Sequence, residues 1–220
     1  MNDNEQQLQR ILKVLDNEGI LKNLILIGSW CLLFYKEIFD NFEPTIATTD
    51  ADFYVPNSKA IKEETSLISS FKEINYDLIS DTFSHKSTFI SPDGFELEFL
   101  TKTNREGLLC IKLGKSNIYA ESMPYVDIFT GNYIEIKCGD INLKIASPSS
   151  YVLQKLLINE NRKEKKEKDL DSIRNVLIYI GASNKSIEEL KTLYFSLPKK
   201  WRNKIDKTCQ KQNINLYIKK

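Results

Sequence analysis

The sequence is poor in histidine and carries no paired cysteines. It has one histidine, His85, and four cysteines, which lie at positions 31, 110, 138 and 209. A single histidine excludes, within one chain, a mechanism that needs two histidines and a histidine-rich metal site. The cysteines form no C-x-x-C pair, so a structural zinc site is not expected. A chain of this size without a disulfide framework fits a reducing, cytoplasmic location.

The chain also lacks a strong net charge and a long apolar run. Its 31 basic and 30 acidic residues leave a net charge of +1, which argues against a general binder of nucleic acid or membrane surfaces. No stretch reaches the roughly 18 apolar residues that cross a bilayer. The polar start, MNDNEQQLQR, does not resemble a signal peptide, so we expect no membrane association.

What is present is enough hydrophobic sequence for a sizeable core, since 41% of the 220 residues are hydrophobic. Periodicity predicts an amphipathic helix over 5–17, a buried strand over 23–28 and a helix after it. It further predicts an alternating strand over 50–56, a helix around 61–71, and hairpins over 85–101 and 132–146. From Ser147-Pro148, a helix-start signal, only helices are predicted, at about 148–161, 165–180, 186–196 and 199–212.

Strands therefore dominate up to about residue 147 and helices follow. This order predicts an α+β or mixed α/β core, residues 1–147, and a helical C-terminal part, residues 148–220.

The stretch LILIGSW, residues 24–30, holds the first candidate for a binding site. A buried strand ends at Gly28-Ser29 and a helix opens there. A helix N-terminus offers unpaired backbone N–H groups that suit a phosphate, Gly28 allows a ligand to approach closely, and Ser29 adds a hydroxyl. Strand–Gly-Ser–helix junctions are also ordinary corners, so this stretch alone leaves both interpretations open.

The strand DADFYV, residues 50–55, carries two acidic residues on one face. Asp50 and Asp52 point the same way, roughly 6–7 Å apart along the strand. Two like charges on one face repel unless something neutralises them. Mg²⁺ does this well, because it prefers oxygen ligands and is usually held by one or two carboxylates plus substrate phosphates. The alternative is a solvated strand face.

A second acidic strand, FELEFLT, places Glu96 and Glu98 on one face. If this strand lies beside the first, one of these glutamates joins Asp50 and Asp52. Three converging carboxylates near a phosphate seat would form a two-metal site for phosphoryl or nucleotidyl transfer. In such chemistry the side chains mainly position groups and neutralise charge, so no histidine is needed.

These motifs resemble those of a known family. GSW followed by TTDADFYV resembles the h-G-S … D-h-D-h signature of the nucleotidyltransferase-fold superfamily, the DNA polymerase beta-like group. EFLT at 98–101 is similar to the third-carboxylate strand of bacterial nucleotidyltransferase-like proteins. SPSSYVLQKLLIN and the later RKEKKEKDL resemble their C-terminal pattern, which abortive-infection type toxins share. The resemblance covers roughly residues 20–175.

The resemblance implies a mixed β-sheet core flanked by helices. It also implies a Mg²⁺- or Mn²⁺-dependent enzyme that transfers a nucleoside monophosphate from an NTP, such as ATP, to a hydroxyl acceptor. That acceptor would be a tRNA end, a protein side chain or a small molecule, and a toxin–antitoxin role is the analogous biology. The alternatives are a catalytically silent nucleotide-binding or interaction module of this fold, and a plain nucleic-acid binder.

The resemblance also assigns roles to residues. By that analogy, Gly28 and Ser29 would hold the triphosphate, and Asp50 and Asp52 would bind both metals. Glu98 would also bind the catalytic metal. Lys155 and Lys168, in the helical part, would contact the phosphates. Glu98 would also help to deprotonate the acceptor. From the residues alone, a lysine in an apolar helix, such as Lys155, usually extends to solvent. The run 162–168 is either a solvated helix face or a basic patch that meets a nucleic-acid backbone or the triphosphate.

Overall fold

The structure is a computed structural model. It describes residues 2–44, 48–61, 66–81, 83, 85–103, 109–162 and 165–218. The chain divides into two compact units, the first of Met1–Phe34 and Glu43–Ala146, the second of Tyr35–Phe42 and Ser147–Lys220. In the described ranges, no helix combines the length and apolar character that a bilayer crossing needs.

The first unit is built on one mixed sheet. Its strands in the described residues are β1 Ile25–Ile27, β2 Asp50–Tyr54, β3 Asp77–Ser80, β4 Ser87–Ile90, β5 Glu96–Lys102, β6 Cys110–Lys112, β7 Tyr119–Met123, β8 Tyr133–Cys138 and β9 Ile141–Ala146. The main path runs β3-β4-β5-β2-β1-β9-β8, with β7 paired to β5 and β6 to β7. The parallel pairs are β2 with β5, β1 with β9 and β5 with β7.

The central strands follow from their sequence patterns. All three residues of β1 are buried, as the continuous apolar run predicted. In β2 the alternation sorts the faces, because Ala51 and Phe53 are fully buried while Asp50 and Asp52 stay half-buried. Strand β5 alternates in the same way and buries Leu97.

Three α-helices accompany the sheet in the described part of this unit: α1 Asp3–Asn17, α2 Cys31–Phe34 and α3 Leu67–Glu73. Helix α1 begins at a capping box, in which the Asn2 side chain accepts the Glu5 N–H and the Glu5 carboxylate accepts the Asn2 N–H. Its buried face, which includes Leu8, Leu12 and Leu15, follows helical spacing.

The second unit is helical. Its α-helices are α4 Pro148–Ile158, α5 Lys166–Gly181, α6 Asn184–Ser196 and α7 Lys199–Gln212. Helix α4 begins where Ser147 accepts the Ser150 N–H and Pro148 fills the first turn. It is buried on every side, which makes it the centre of this unit.

The segment Tyr35–Phe42 belongs to this unit through its contacts with α5. The Tyr179 hydroxyl donates to the Asn41 carbonyl at 2.8 Å, and its ring lies 4.9 Å from that of Phe42. Because the sequence placed this segment in the N-terminal core, its packing partner was not foreseen.

The predicted α+β class is confirmed, and so are both hairpins and the helices after residue 147. Strands β3, β6 and β7 were missed. The predicted helix around 61–71 begins only at Leu67, after a short 3-10 turn at Ser58–Ala60, and residues 62–65 lie outside the described residues. The predicted helix after Ser29 is present as a helical segment, but only Cys31–Phe34 of it is α-helical, between 3-10 turns at Gly28–Trp30 and Tyr35–Glu37.

Candidate active site

The two acidic strands lie side by side in the sheet. Strands β2 and β5 pair in parallel, with Asp50 opposite Glu96 and Asp52 opposite Glu98. Residues that face each other across a ladder project from the same face of a sheet, about 4.8 Å apart in the strand-to-strand direction. All four carboxylates are half-buried and share that face. The adjacency on which the sequence hypothesis depended is therefore present.

The Gly28-Ser29 corner meets the same face. Ile27, the last residue of β1, lies opposite Asp52 in the antiparallel β1–β2 pair, so the corner begins one residue beyond the aspartate. Gly28 has φ +73°, and a Cβ placed on it would lie 2.8 Å from Oδ2 of Asp52. Only glycine accommodates this backbone conformation and this close approach together.

The structure also corrects the expected helix N-terminus. Gly28–Trp30 forms a 3-10 turn before the single α-turn of α2, so a sizeable helix dipole does not stand behind this corner. What remains for a phosphate is the half-buried Ser29 hydroxyl and the local backbone. Trp30 does not crowd this position, because it is 1% exposed and packs on the Phe95 ring at 5.9 Å.

The aspartates differ in their local partners. Asp50 accepts a hydrogen bond from the hydroxyl of Thr48, which precedes β2 and is itself buried. Asp52 has its Oδ2 beside Gly28. Thr48 thus orients the carboxylate farther from the corner, and the glycine leaves room for the nearer one.

Glu98 is held from the side opposite β2. The Lys86 ammonium lies 2.7 Å from Glu98 Oε1 and 3.1 Å from Glu121 Oε2. Thr88 donates a longer hydrogen bond to the same Glu98 oxygen, at 3.4 Å. Burial alone would lower the pKa of Lys86, but hydrogen bonds to the two glutamates and their negative charges raise that pKa above its ordinary value.

These residues fit a divalent cation at the aspartates. In the part of the chain that the structure describes, no three His, Cys, Asp or Glu side chains are arranged as a ready-made metal site. Glu98 is paired with Lys86, which leaves Asp50 and Asp52 as the carboxylates next to the corner. Mg²⁺ is commonly held by one or two carboxylates together with substrate phosphates, so this oxygen donor set suits it.

Lys155 and Lys168 lie in the second unit, in different settings. Lys155 is 5% exposed in α4, and its ammonium is ion-paired with Oδ1 of Asp169, which is 3% exposed. Arg162 approaches the other oxygen of that carboxylate at 3.2 Å. Lys168 is exposed in the first turn of α5. The structure therefore brings Lys155 together with Asp169, and the roles expected for both lysines at the phosphates stay predictions.

Sequence reasoning missed Lys86 and Glu121. The alternation of the predicted hairpin arm puts Lys86 on the same side as Thr88, but only the β4–β5 register shows that Thr88 lies opposite Glu98. Glu121 could not be found in the same way, because β7 was not predicted. Its position opposite Leu100 places it on the face that carries Glu98.

A carboxylate-bearing strand face beside a Gly-Ser corner is chemically suited to phosphoryl or nucleotidyl transfer. Comparison with known proteins agrees with this class. The sequence profile of a family described as nucleotidyltransferase matches residues 6–193. The chain belongs to this nucleotidyltransferase family, whose enzymes transfer a nucleoside monophosphate from an NTP.

Two solved structures share this fold. The solution structure of the antibiotic-resistance factor ANT(2″)-Ia matches with a TM-score of 0.50 and 13% identity over 86% of this chain and 89% of that chain. The crystal structure of ANT(2″)-Ia with adenylyl-2″-tobramycin matches with a TM-score of 0.50 and 13% identity, covering 86% and 92%. An antigenic nucleotidyltransferase-like protein from Paracoccidioides brasiliensis gives 0.47, with 14% identity over 94% and 92%. No curated protein sequence matches the chain.

Proposed function

We propose that this nucleotidyltransferase uses Mg²⁺ or Mn²⁺ to transfer a nucleoside monophosphate from an NTP to a hydroxyl group. The observation that carries the proposal is the in-register pairing of β2 with β5, which lines up Asp52 with Glu98 next to Gly28. The acceptor oxygen would attack the α-phosphorus, the bond to the bridging oxygen would break, and pyrophosphate would leave. The hydroxyl proton would pass to a nearby base.

In this proposal, different residues bind the cation, bind the phosphates and accept the proton. Asp50 and Asp52 would hold the cation, which when bound neutralises phosphate charge and activates the attacking oxygen. The Ser29 hydroxyl would donate to a phosphate oxygen, and Gly28 lets that phosphate come close to the backbone. Glu98, once Lys86 has released its carboxylate, would accept the proton of the acceptor hydroxyl.

A hydroxyl acceptor is favoured because ANT(2″)-Ia, which shares the fold, was crystallised with adenylyl-2″-tobramycin. An adenylyl group on the 2″ position of a small molecule is what transfer to a hydroxyl produces. We extend to this chain only the class of acceptor, a hydroxyl. Whether it belongs to a small molecule, an RNA end or a protein side chain is decided by the transfer assay described below.

Binding is tested by thermal unfolding with each NTP, with and without Mg²⁺ or Mn²⁺. A ligand at 100 times its Kd stabilises a protein by about 2.7 kcal/mol, a readily measured shift. We expect metal-dependent stabilisation in the unchanged protein and its loss in Asp50→Asn and Asp52→Asn. Asp140→Asn, the same change at an exposed acidic residue of the β8–β9 turn, is expected to keep it.

Chemistry is tested by pyrophosphate release and by transfer of label from α-³²P NTPs to total RNA, total protein and hydroxyl-bearing small molecules. Transfer that needs metal and both aspartates supports the proposal. Metal-independent nucleotide binding, unaffected by Asp50→Asn or Asp52→Asn, would place the nucleotide elsewhere and refute the assigned site.

A further inference from the structure

Lys86 is a cation that contacts the acidic face of the sheet. It lies one residue before β4 and reaches two carboxylates, Glu98 at 2.7 Å and Glu121 at 3.1 Å. The side chains of Lys86 and Glu98 are only partly exposed, at 33% and 16%, while that of Glu121 is 42% exposed. Partial burial weakens solvent screening, so this shared pair is stronger than a pair at the open surface.

The sheet places Glu98 between two competing neighbours. Strand β5 has β2 on one side, with Asp52 directly opposite Glu98, and β4 on the other, with Thr88 opposite the same residue. Lys86 and Thr88 both hold the Glu98 carboxylate on the β4 side. A cation bound at Asp52 would draw the same carboxylate the other way, toward β2.

Glu121 gives Lys86 a second partner. It projects from β7, which pairs with β5 beyond the end of the β4–β5 ladder, so Glu98 and Glu121 approach the ammonium from different strands. If Glu98 leaves Lys86, the ammonium keeps the Glu121 carboxylate. The cost of releasing Glu98 is therefore smaller than the cost of leaving a buried charge without a partner.

We propose that Lys86 is a positioning residue of the active site that competes with the divalent cation for Glu98, and that Glu121 eases the release of Glu98 by retaining the lysine. This inference rests on the proposed function, since it needs a cation at Asp50 and Asp52. In this proposal, the Glu98 carboxylate pairs with Lys86 in the metal-free protein and becomes the third carboxylate of the site once the metal is bound.

The competition is tested by Mn²⁺ binding without nucleotide, measured by electron paramagnetic resonance of free Mn²⁺. Lys86→Met removes the competitor and is expected to tighten Mn²⁺ binding about tenfold, the order of the Coulomb energy between a unit charge and a nearby divalent ion in water-like surroundings. Glu121→Gln removes the second carboxylate that the structure shows at Lys86 and is expected to weaken Mn²⁺ binding several-fold. If Glu121 acts through the lysine, that weakening disappears in the double variant Lys86→Met/Glu121→Gln.

Lys102→Met is the matched control. Lys102 lies on β5 with the same face orientation as Glu98, about 13 Å farther along the strand, beyond a Debye length at physiological salt. It loses the same charge by the same substitution and is expected to change Mn²⁺ affinity less than twofold. Lys86→Arg keeps the charge and the reach to Glu98, and is expected to bind Mn²⁺ like the unchanged protein.

Several results would overturn the inference. One is equal Mn²⁺ affinity in Lys86→Met and Lys102→Met. Another is an undiminished effect of Glu121→Gln in the Lys86→Met background, which would mean that Glu121 acts only through its own charge. If Lys86→Met fails to fold, unchanged or tighter binding in Glu121→Gln refutes the competition by itself. Mn²⁺ binding that Asp52→Asn leaves intact would instead refute the proposed function, a separate outcome in the same assay.

Discussion

Replacing Gly28 by alanine perturbs the contact between the corner and Asp52 directly. Gly28 has φ +73°, and holding an alanine in this left-handed region costs about 1–2 kcal/mol of folding free energy. The new Cβ would also lie 2.8 Å from Asp52 Oδ2, so one of the two must retreat by roughly 0.6 Å or more to reach ordinary contact. A misplacement approaching 1 Å can cost on the order of a hundredfold in rate.

The assay pairs urea unfolding with metal-dependent nucleotide binding and transfer. Gly131→Ala is the control, because Gly131 has a similar φ of +76° in the same unit and nothing lies within 4 Å of its Cβ position. We expect both variants to lose about 1–2 kcal/mol from the backbone alone. Only Gly28→Ala is expected to lose more than this and to lose at least tenfold in metal-dependent activity.

Equal behaviour of the two alanine variants would refute this reasoning. If Gly28→Ala were no less stable than Gly131→Ala, the approach of Asp52 would not constrain the corner. If it kept full metal-dependent activity, the position of the Asp52 carboxylate next to Gly28 would not matter for the reaction.

Two further predictions concern the second unit. Asp169→Asn removes the carboxylate that pairs with the buried Lys155 ammonium and is expected to cost about 3–5 kcal/mol of unfolding free energy, measured in urea. The control is Asp171→Asn, on the same helix but in an exposed ion pair, which is expected to cost under about 1 kcal/mol. Equal losses would contradict the assigned burial. Burial raises the pKa of the Cys209 thiol to about 12, so mass spectrometry at pH 8 should show slower alkylation of Cys209 than of the more exposed Cys138. An equal alkylation rate of the two cysteines would contradict the raised pKa of Cys209. Because the fold favours the neutral thiol, the contribution of Cys209 to stability is intact below the ordinary thiol pKa, 9.0, and is lost as pH rises toward 12.

The parts of the fold that the sequence predicted are those with strong local patterns. The apolar run at 24–27, the alternation at 50–55 and the Ser147-Pro148 start signal each determine an element through side-chain period or capping chemistry. The hairpin that contains β4 and β5 could be predicted from its SPDG turn. The α+β order of the chain followed from these elements together.

The missed strands have weak local patterns. Strand β3 is mostly exposed and β6 spans only Cys110–Lys112, so neither shows a clear alternation of buried and exposed residues. Both depend on pairing with a neighbouring strand, which is tertiary information. Without β7 there was no way to foresee Glu121, and without the register of β4 the pairing of Lys86 with Glu98 stayed hidden.

The role of the Gly28-Ser29 corner could also be predicted only in part from the local sequence. The sequence could indicate that Gly28 turns the chain, but the approach of Asp52 depends on the pairing of β1 with β2. Similarly, Lys155 appeared to be a lysine that extends to solvent, and its pairing with Asp169 became visible only when α4 and α5 were placed together.

The order of the strands in the sheet affects how the chain folds while it is being synthesised. Strand β1 lies between β2 and β9, and β9 ends at Ala146, so the serine corner stands at an open sheet edge until nearly the whole first unit has left the ribosome. An open apolar edge invites pairing with other chains. A nascent or truncated chain ending before Ile141 should therefore aggregate through β1 or need a chaperone, even though every acidic residue of the proposed site has already been made.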